Sequence, residues 1–130
     1  MKIFGVSGSP RKGSTDYIVN DGLKYLEEKY GAETSYYPAH GKNLNFCIHC
    51  DHCVRERSGC IHKDDIPEFY YGLEWANGII IGTPVYQGNL SARTKTMLDR
   101  CRAMVRGVHS NVYCIRLLNS KILQNLKRNT

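Results

Sequence analysis

No stretch of this chain approaches the run of about 18 or more apolar residues that a membrane span needs, so a membrane partner is not expected. The opening MKIFGV is a short apolar run without the roughly 7–15-residue h-region and cleavage site of a secretory signal. Together these absences lead to the expectation of a cytoplasmic protein. In that reducing setting, clustered cysteines imply metal or redox chemistry rather than disulfide staples. Repeats, low-complexity segments and linkers are also missing, which leaves a single domain over 1–130. Neither a Walker A pattern nor G-x-G-x-x-G occurs, and no nucleic-acid-binding motif accompanies the positive charge. Nucleic acid is therefore not an expected partner. No side chain has the setting of a general acid or base, so no catalytic residue is assigned.

What is present is a chain of 130 residues, 42% hydrophobic, large enough for one compact domain with a real core. Its net charge of +6 favours anionic partners such as nucleotide phosphates or an acidic electron carrier. The basic residues are scattered, with a modest concentration at Arg93, Lys95, Arg100, Arg102 and Arg106. Their helical spacing reads as a solvated helix face.

Strands alternate with helices, the pattern of βαβ units and a parallel sheet. KIFGV is a first strand, and a helix follows from Ser14 with Val19, Gly22, Leu23, Leu26 and Tyr30 on one face. Ser14 or Thr15 is expected to cap it, with Asp16 near its positive end and Gly31 terminating it. AETSYYP reads as a half-exposed second strand and DDIPEFYYGLEWA as a short helix. NGIIIGTP is a continuous apolar run bounded by glycines, a strand buried on both faces. NLSARTKTMLDRCRAMV is a helix, with Thr94, Met97, Leu98, Cys101, Met104 and Val105 expected in the core. Beyond residue 106 the pattern weakens; NVYCIRLL suits a strand and SKILQNLKR a short helix.

Two segments carry chemistry. In VSGSPRKGST, a strand feeds a loop of small residues that opens into a helix, aiming backbone N–H groups and a helix N-terminus at one spot. Ser9, Ser14 and Thr15 add hydroxyls and Arg11 adds a charge, a set suited to one phosphate. The loop is short, which favours a monophosphate over a pyrophosphate.

The second segment, residues 38–64, has no period and packs Cys47, Cys50, Cys53 and Cys60 into a C-x2-C-x2-C-x6-C pattern. Zinc sites use two tight pairs separated by a longer insertion. Three cysteines at successive x2 spacing instead present thiolates along a curve, able to hold separate irons of one [4Fe–4S] cluster, and Cys60 can return as the fourth ligand. Zinc and unligated thiols remain open as alternatives. His49 and His52 lie between the ligands as exposed residues or tuners of cluster potential. His40 and His62 read as ordinary surface histidines.

GSPRKGST after the first strand, with GTPVYQGNLSARTKTMLDR after a buried strand, resembles the iron–sulfur flavoproteins of the flavodoxin-like NADPH-dependent FMN reductase superfamily. The resemblance covers residues 1–106, about four fifths of the chain. It implies an α/β fold with a doubly wound parallel sheet of order 2-1-3-4-5 and FMN at the carboxyl ends of the strands. Carried over by position, Ser9, Arg11, Ser14 and Thr15 would hold the FMN phosphate. Pro84, Val85, Tyr86 and Gly88 would line the isoalloxazine and ribityl chain. The compact cysteine motif agrees with the family's cluster. The implied function is electron transfer from an acidic carrier such as ferredoxin, through the cluster to FMN, and on to a small acceptor. A homo-oligomer is expected. The rival readings are a cluster-free NAD(P)H-dependent FMN or quinone reductase and a zinc-binding basic interaction module. The tail, 107–130, departs from the family, lacking its glycine-rich loop and fifth strand. The expectation is a truncated or altered-frame product, or a sheet completed by another subunit.

Overall fold

The computed structural model describes residues 1–104 and the backbone of 116–117. Its centre is a parallel sheet in which β2 (Glu33–Pro38), β1 (Lys2–Ser7), β3 (Gly78–Gly82) and β6 (Arg116–Leu117) lie side by side in that order. Register is set by the pairs Phe4 with Ser35, Phe4 with Ile79, and Ile81 with Leu117. The flavodoxin-like order is thus met over four positions, with the NVYCIRLL expectation realised at Arg116–Leu117. The rest of that segment and the expected SKILQNLKR helix lie outside the described residues.

Side chains alternate across β1, and the two faces are covered by different helices. Phe4 and Val6 point to one side, where they join Tyr37, Ile81 and the buried residues Ile66 and Phe69 of α3 (Ile66–Trp75) and Met97 of α4 (Ala92–Arg100). Ile3 points to the other and packs with Val19 and Leu23 of α1 (Ser14–Tyr30). In β3, Ile79 packs with the first group and Ile80 with the second, so both faces are contacted, with Ile81 buried and its neighbours half-buried.

The α1 stripe is narrower than its period predicts. Tyr30 is exposed and sets its ring edge-on to Tyr25. The helix ends as expected at Gly31, in the left-handed region with φ 60°. Its start differs from expectation: Gly13 takes the cap position, and neither Ser14 nor Thr15 does. The reason is Asp16, whose carboxylate reaches back one turn to accept the Gly13 N–H at 3.1 Å.

The predicted 89–105 helix is also shorter. Val85–Tyr86 (β4) and Asn89–Leu90 (β5) form a two-stranded hairpin, α4 begins after Ser91, and a 3-10 turn follows over Cys101–Ala103. Gln87 and Gly88, with φ of 49° and 73°, make the two-residue left-handed turn that suits a hairpin's twist. The expected solvated basic face fails at two positions. Arg93 donates from Nη1 to the carbonyls of Ala39 and Lys42, and Arg100 is only 2% exposed. Helical spacing was sound, but the loop after β2 folds over that face and recruits both guanidinium groups to its carbonyls.

Candidate functional site

The loop after β1 and the hairpin after β3 emerge side by side at the carboxyl end of the sheet, because the two strands are parallel neighbours. Ser9 is buried; its hydroxyl donates to the Arg11 carbonyl at 2.6 Å and accepts from the Arg11 N–H at 3.3 Å. It therefore shapes the loop. Arg11 and Ser14 are exposed and Thr15 half-buried at the first turn of α1, where four backbone N–H groups lack helical partners.

Beneath this turn lies an arrangement that the sequence did not signal. Asp16, 6% exposed, accepts from the Tyr36 hydroxyl at 2.5 Å and faces His40 Nε2 at 3.0 Å. Burial, then the Asp16 acceptor, push the Tyr36 phenol up to about 12, so it stays a donor. His40 is accordingly a structural partner of the loop and not an ordinary surface histidine. His62 also departs from expectation, with a buried Nε2 that has no partner among the described residues.

A chain of buried hydroxyls joins the two loops. Ser91 Oγ donates to the Gly8 carbonyl at 2.5 Å and accepts the Thr94 N–H at 3.1 Å, capping α4. Thr94 Oγ1 bonds Thr83 Oγ1 at 2.8 Å, and Thr83 Oγ1 accepts the Ser91 N–H at 3.2 Å. Gly8 N donates to the Gly82 carbonyl at 2.8 Å. Thr83, Ser91 and Thr94 thus tie the loop after β1 to the loop after β3. The sequence places Ser91 inside the helix and does not mark it as the cap. Pro84 is half-buried at the foot of the hairpin, while Val85 and Tyr86 are 59% and 48% exposed beside the turn at Gly88.

The cysteine segment follows the carboxyl end of β2. His49 and Asp51, one in each x2 spacer, take left-handed backbone conformations with φ of 54° and 57°. Such conformations cost non-glycine residues on the order of 1–2 kcal/mol, and they bend the chain between successive cysteines. Cys53 then lies on the short helix α2 (His52–Arg55). The result is that Cys47, Cys50, Cys53 and Cys60 line one pocket together with Ile48, Ile61 and Arg102. All four are free thiols. Among the described residues no three Cys, His, Asp or Glu side chains converge on one metal-ion position. Cys101 is separate: burial pushes its thiol up to about 11, and its sulfur donates to the Met97 carbonyl, the behaviour expected of a core residue.

Asp64 and Asp65 fasten the two ends of this segment together. Asp65 Oδ2 accepts the Asn43 N–H at 2.7 Å and Asp64 Oδ2 the Asn45 N–H at 2.8 Å. Asp64 also forms a fully buried ion pair with Arg100. Burial alone would raise the Asp64 pKa, but Arg100 and the N–H groups of Asn45 and Ile66 outweigh it and hold the carboxyl at about 2.

The model of the NADPH-dependent FMN reductase family matches residues 1–121. Iron-sulfur flavoprotein MJ0731 of Methanocaldococcus jannaschii is 56% identical over 105 residues, 81% of this chain and 52% of that protein. An iron-sulfur flavoprotein of Archaeoglobus fulgidus is 46% identical over 103 residues, 79% of this chain and 52% of the relative. A solved flavone reductase is 25% identical with a TM-score of 0.60, covering 78% of this chain and 30% of that one. The chain spans about half the length of the curated relatives it matches.

Proposed function

Given that the chain belongs to the NADPH-dependent FMN reductase family, we propose that it is a redox flavoprotein carrying FMN and one [4Fe–4S] cluster in a single domain over 1–130. The observation that carries this reading is the cysteine loop: four free thiols from one strained loop facing one pocket. A cubane takes one thiolate per iron, which matches four thiols carried by one compact loop. Cys47, Cys50, Cys53 and Cys60 are its proposed ligands. The names of the relatives support the same pair of cofactors.

For FMN, the chain's own residues divide into three tasks. Ser9, Arg11, Ser14 and Thr15 receive the phosphate at the start of α1. Pro84, Val85, Tyr86 and Gly88 receive the ring and ribityl chain, with Tyr86 offering a π-face and a hydroxyl. Thr83, Ser91 and Thr94 hold the two loops at a fixed spacing. When bound, the cluster exchanges single electrons and FMN one or two, which lets the pair connect an acidic carrier such as ferredoxin to a small acceptor. The chain's net charge of +6 favours docking of such a carrier, and a homo-oligomer is the proposed working form. Among the described residues no helix is long and apolar enough to cross a membrane.

The test is anaerobic reconstitution of the chain, followed by a visible spectrum and iron and acid-labile sulfide assays. A broad band near 400 nm with labile sulfide is expected, and Cys53→Ala should lose that band while still binding FMN. Zinc uptake without labile sulfide refutes the proposal.

A further inference from the structure

Arg100 ends α4 with its side chain wholly out of solvent. One of its nitrogens is accounted for: Nη1 donates to the Asn45 carbonyl at 3.0 Å and to Asp64. The other two, Nε and Nη2, are buried with no partner among the described residues. Buried N–H donors on a charged group are rarely left so, and such a pair marks a place where an acceptor belongs. Cys60 is among the side chains beside this guanidinium. A thiol sulfur is a weak acceptor, whereas an anionic sulfur is a strong one. The free donors therefore match Cys60 in its metal-bound, thiolate form.

Resting on the cluster reading above, we propose that Arg100 is a positioning residue for the iron–sulfur centre, directing guanidinium N–H groups onto the Cys60 sulfur and raising the cluster's reduction potential. Two features of the fold serve this role. Asp64, four residues after Cys60, pairs with Arg100 and anchors the returning strap that carries the fourth ligand. The Tyr70 hydroxyl donates to the Arg100 carbonyl at 2.7 Å, fixing the end of α4. One-electron reduction adds a negative charge that the cluster sulfurs share. A buried cation donating to one of those sulfurs stabilises that added charge, and stabilises it more in a water-poor setting.

The experiment uses the full chain, reconstituted anaerobically, with iron, labile sulfide and FMN measured first. Wild type, Arg100→Lys and Arg100→Gln are then titrated with dithionite against redox mediators. Lysine keeps the charge beside Asp64 but loses the second and third nitrogens; glutamine loses both. Both variants are expected to assemble the cluster and to show at least a tenfold lower reduced-to-oxidised ratio at a given potential, a shift of about 59 mV or more to the negative side. Wild type grown with 15N-arginine should show 15N hyperfine coupling in pulsed EPR of the reduced cluster, a readout that survives even if a variant fails to fold. A full cluster with an unshifted potential in both variants overturns the proposal, as does absence of that coupling in wild type. A wild-type chain that binds FMN without iron or sulfide overturns the cluster reading, and this inference with it.

Discussion

Replacing Gly8 by alanine sets a methyl group against Thr94, at the junction that holds the two loops of the proposed FMN site. The added Cβ would overlap Thr94 Oγ1 and stand 2.9 Å from Thr94 Cβ and 3.3 Å from its Cα. Because the last of these is backbone, rotating the threonine cannot clear the contact. Thr94 is fully buried, with its hydroxyl bonded to Ser91 and Thr83. If Thr94 turns away, those two bonds are lost; if the β1 loop shifts, the Ser91-to-Gly8 and Gly8-to-Gly82 bonds are lost instead. Either response forfeits two buried hydrogen bonds at about 1 kcal/mol each, and residual overpacking adds on the order of 1 kcal/mol. The total is about 3 kcal/mol, equivalent to a fall in Tm of roughly 10 °C for a domain of this size. The loop displacement should also weaken FMN binding by about tenfold or more, since each tenfold step is only ~1.4 kcal/mol. Thr94→Ala removes the overlapping oxygen, so the double variant should be less damaged than the sum of the two singles, with a coupling of at least ~0.5 kcal/mol. Thermal unfolding by circular dichroism and flavin-fluorescence titration read both effects. A Gly8→Ala protein within about 2 °C of wild type, or strictly additive singles, would refute the role given to this junction.

Two further outcomes are expected. Arg11→Ala should weaken FMN by about tenfold or more and leave riboflavin nearly unaffected, because a charge-assisted bond to phosphate is worth roughly 1.5–3 kcal/mol and riboflavin has no phosphate to lose it. Equal weakening of both flavins in parallel fluorescence titrations contradicts the phosphate assignment. The second outcome concerns Asp64, whose folded pKa of about 2 lies below its unfolded value, so its stabilisation is fully present above about pH 4 and drains away as pH falls towards 2. The depression is worth on the order of 2 kcal/mol, and the stability gap between wild type and Asp64→Asn in urea should shrink across that window. A gap that stays constant from pH 5 to pH 2 rejects the clasp.

Strand and helix order, the four cysteines of one motif and the loop that runs from β1 into α1 were legible in the chain, because each is local. Period-2 and period-3.6 patterns need only near neighbours, and the C-x2-C-x2-C spacing is itself a statement about chain geometry. The loop after β1 could be read from its small residues and the helix behind it. What the tertiary structure decided depends on meetings between distant segments. Arg93 and Arg100 carry the same letters and spacing as solvent-facing arginines, yet the segment after β2 folds across their side of α4, half-burying Arg93 and taking Arg100 out of water. His40 becomes a loop partner only because β1, β2 and α1 bring it within reach of Asp16 and Tyr36. Of the hairpin at 85–90, Asn89 and Leu90 were read into the following helix and Val85 and Tyr86 into the preceding loop, since a four-residue ladder leaves no period to detect. Thr83 and Ser91 carry no signal of their own, and Thr94 shows only its place on the buried side of its helix. They join only because parallel pairing of β1 with β3 delivers Gly8 and Thr83 to the same end of the sheet, where buried hydroxyls must find one another or remain unsatisfied.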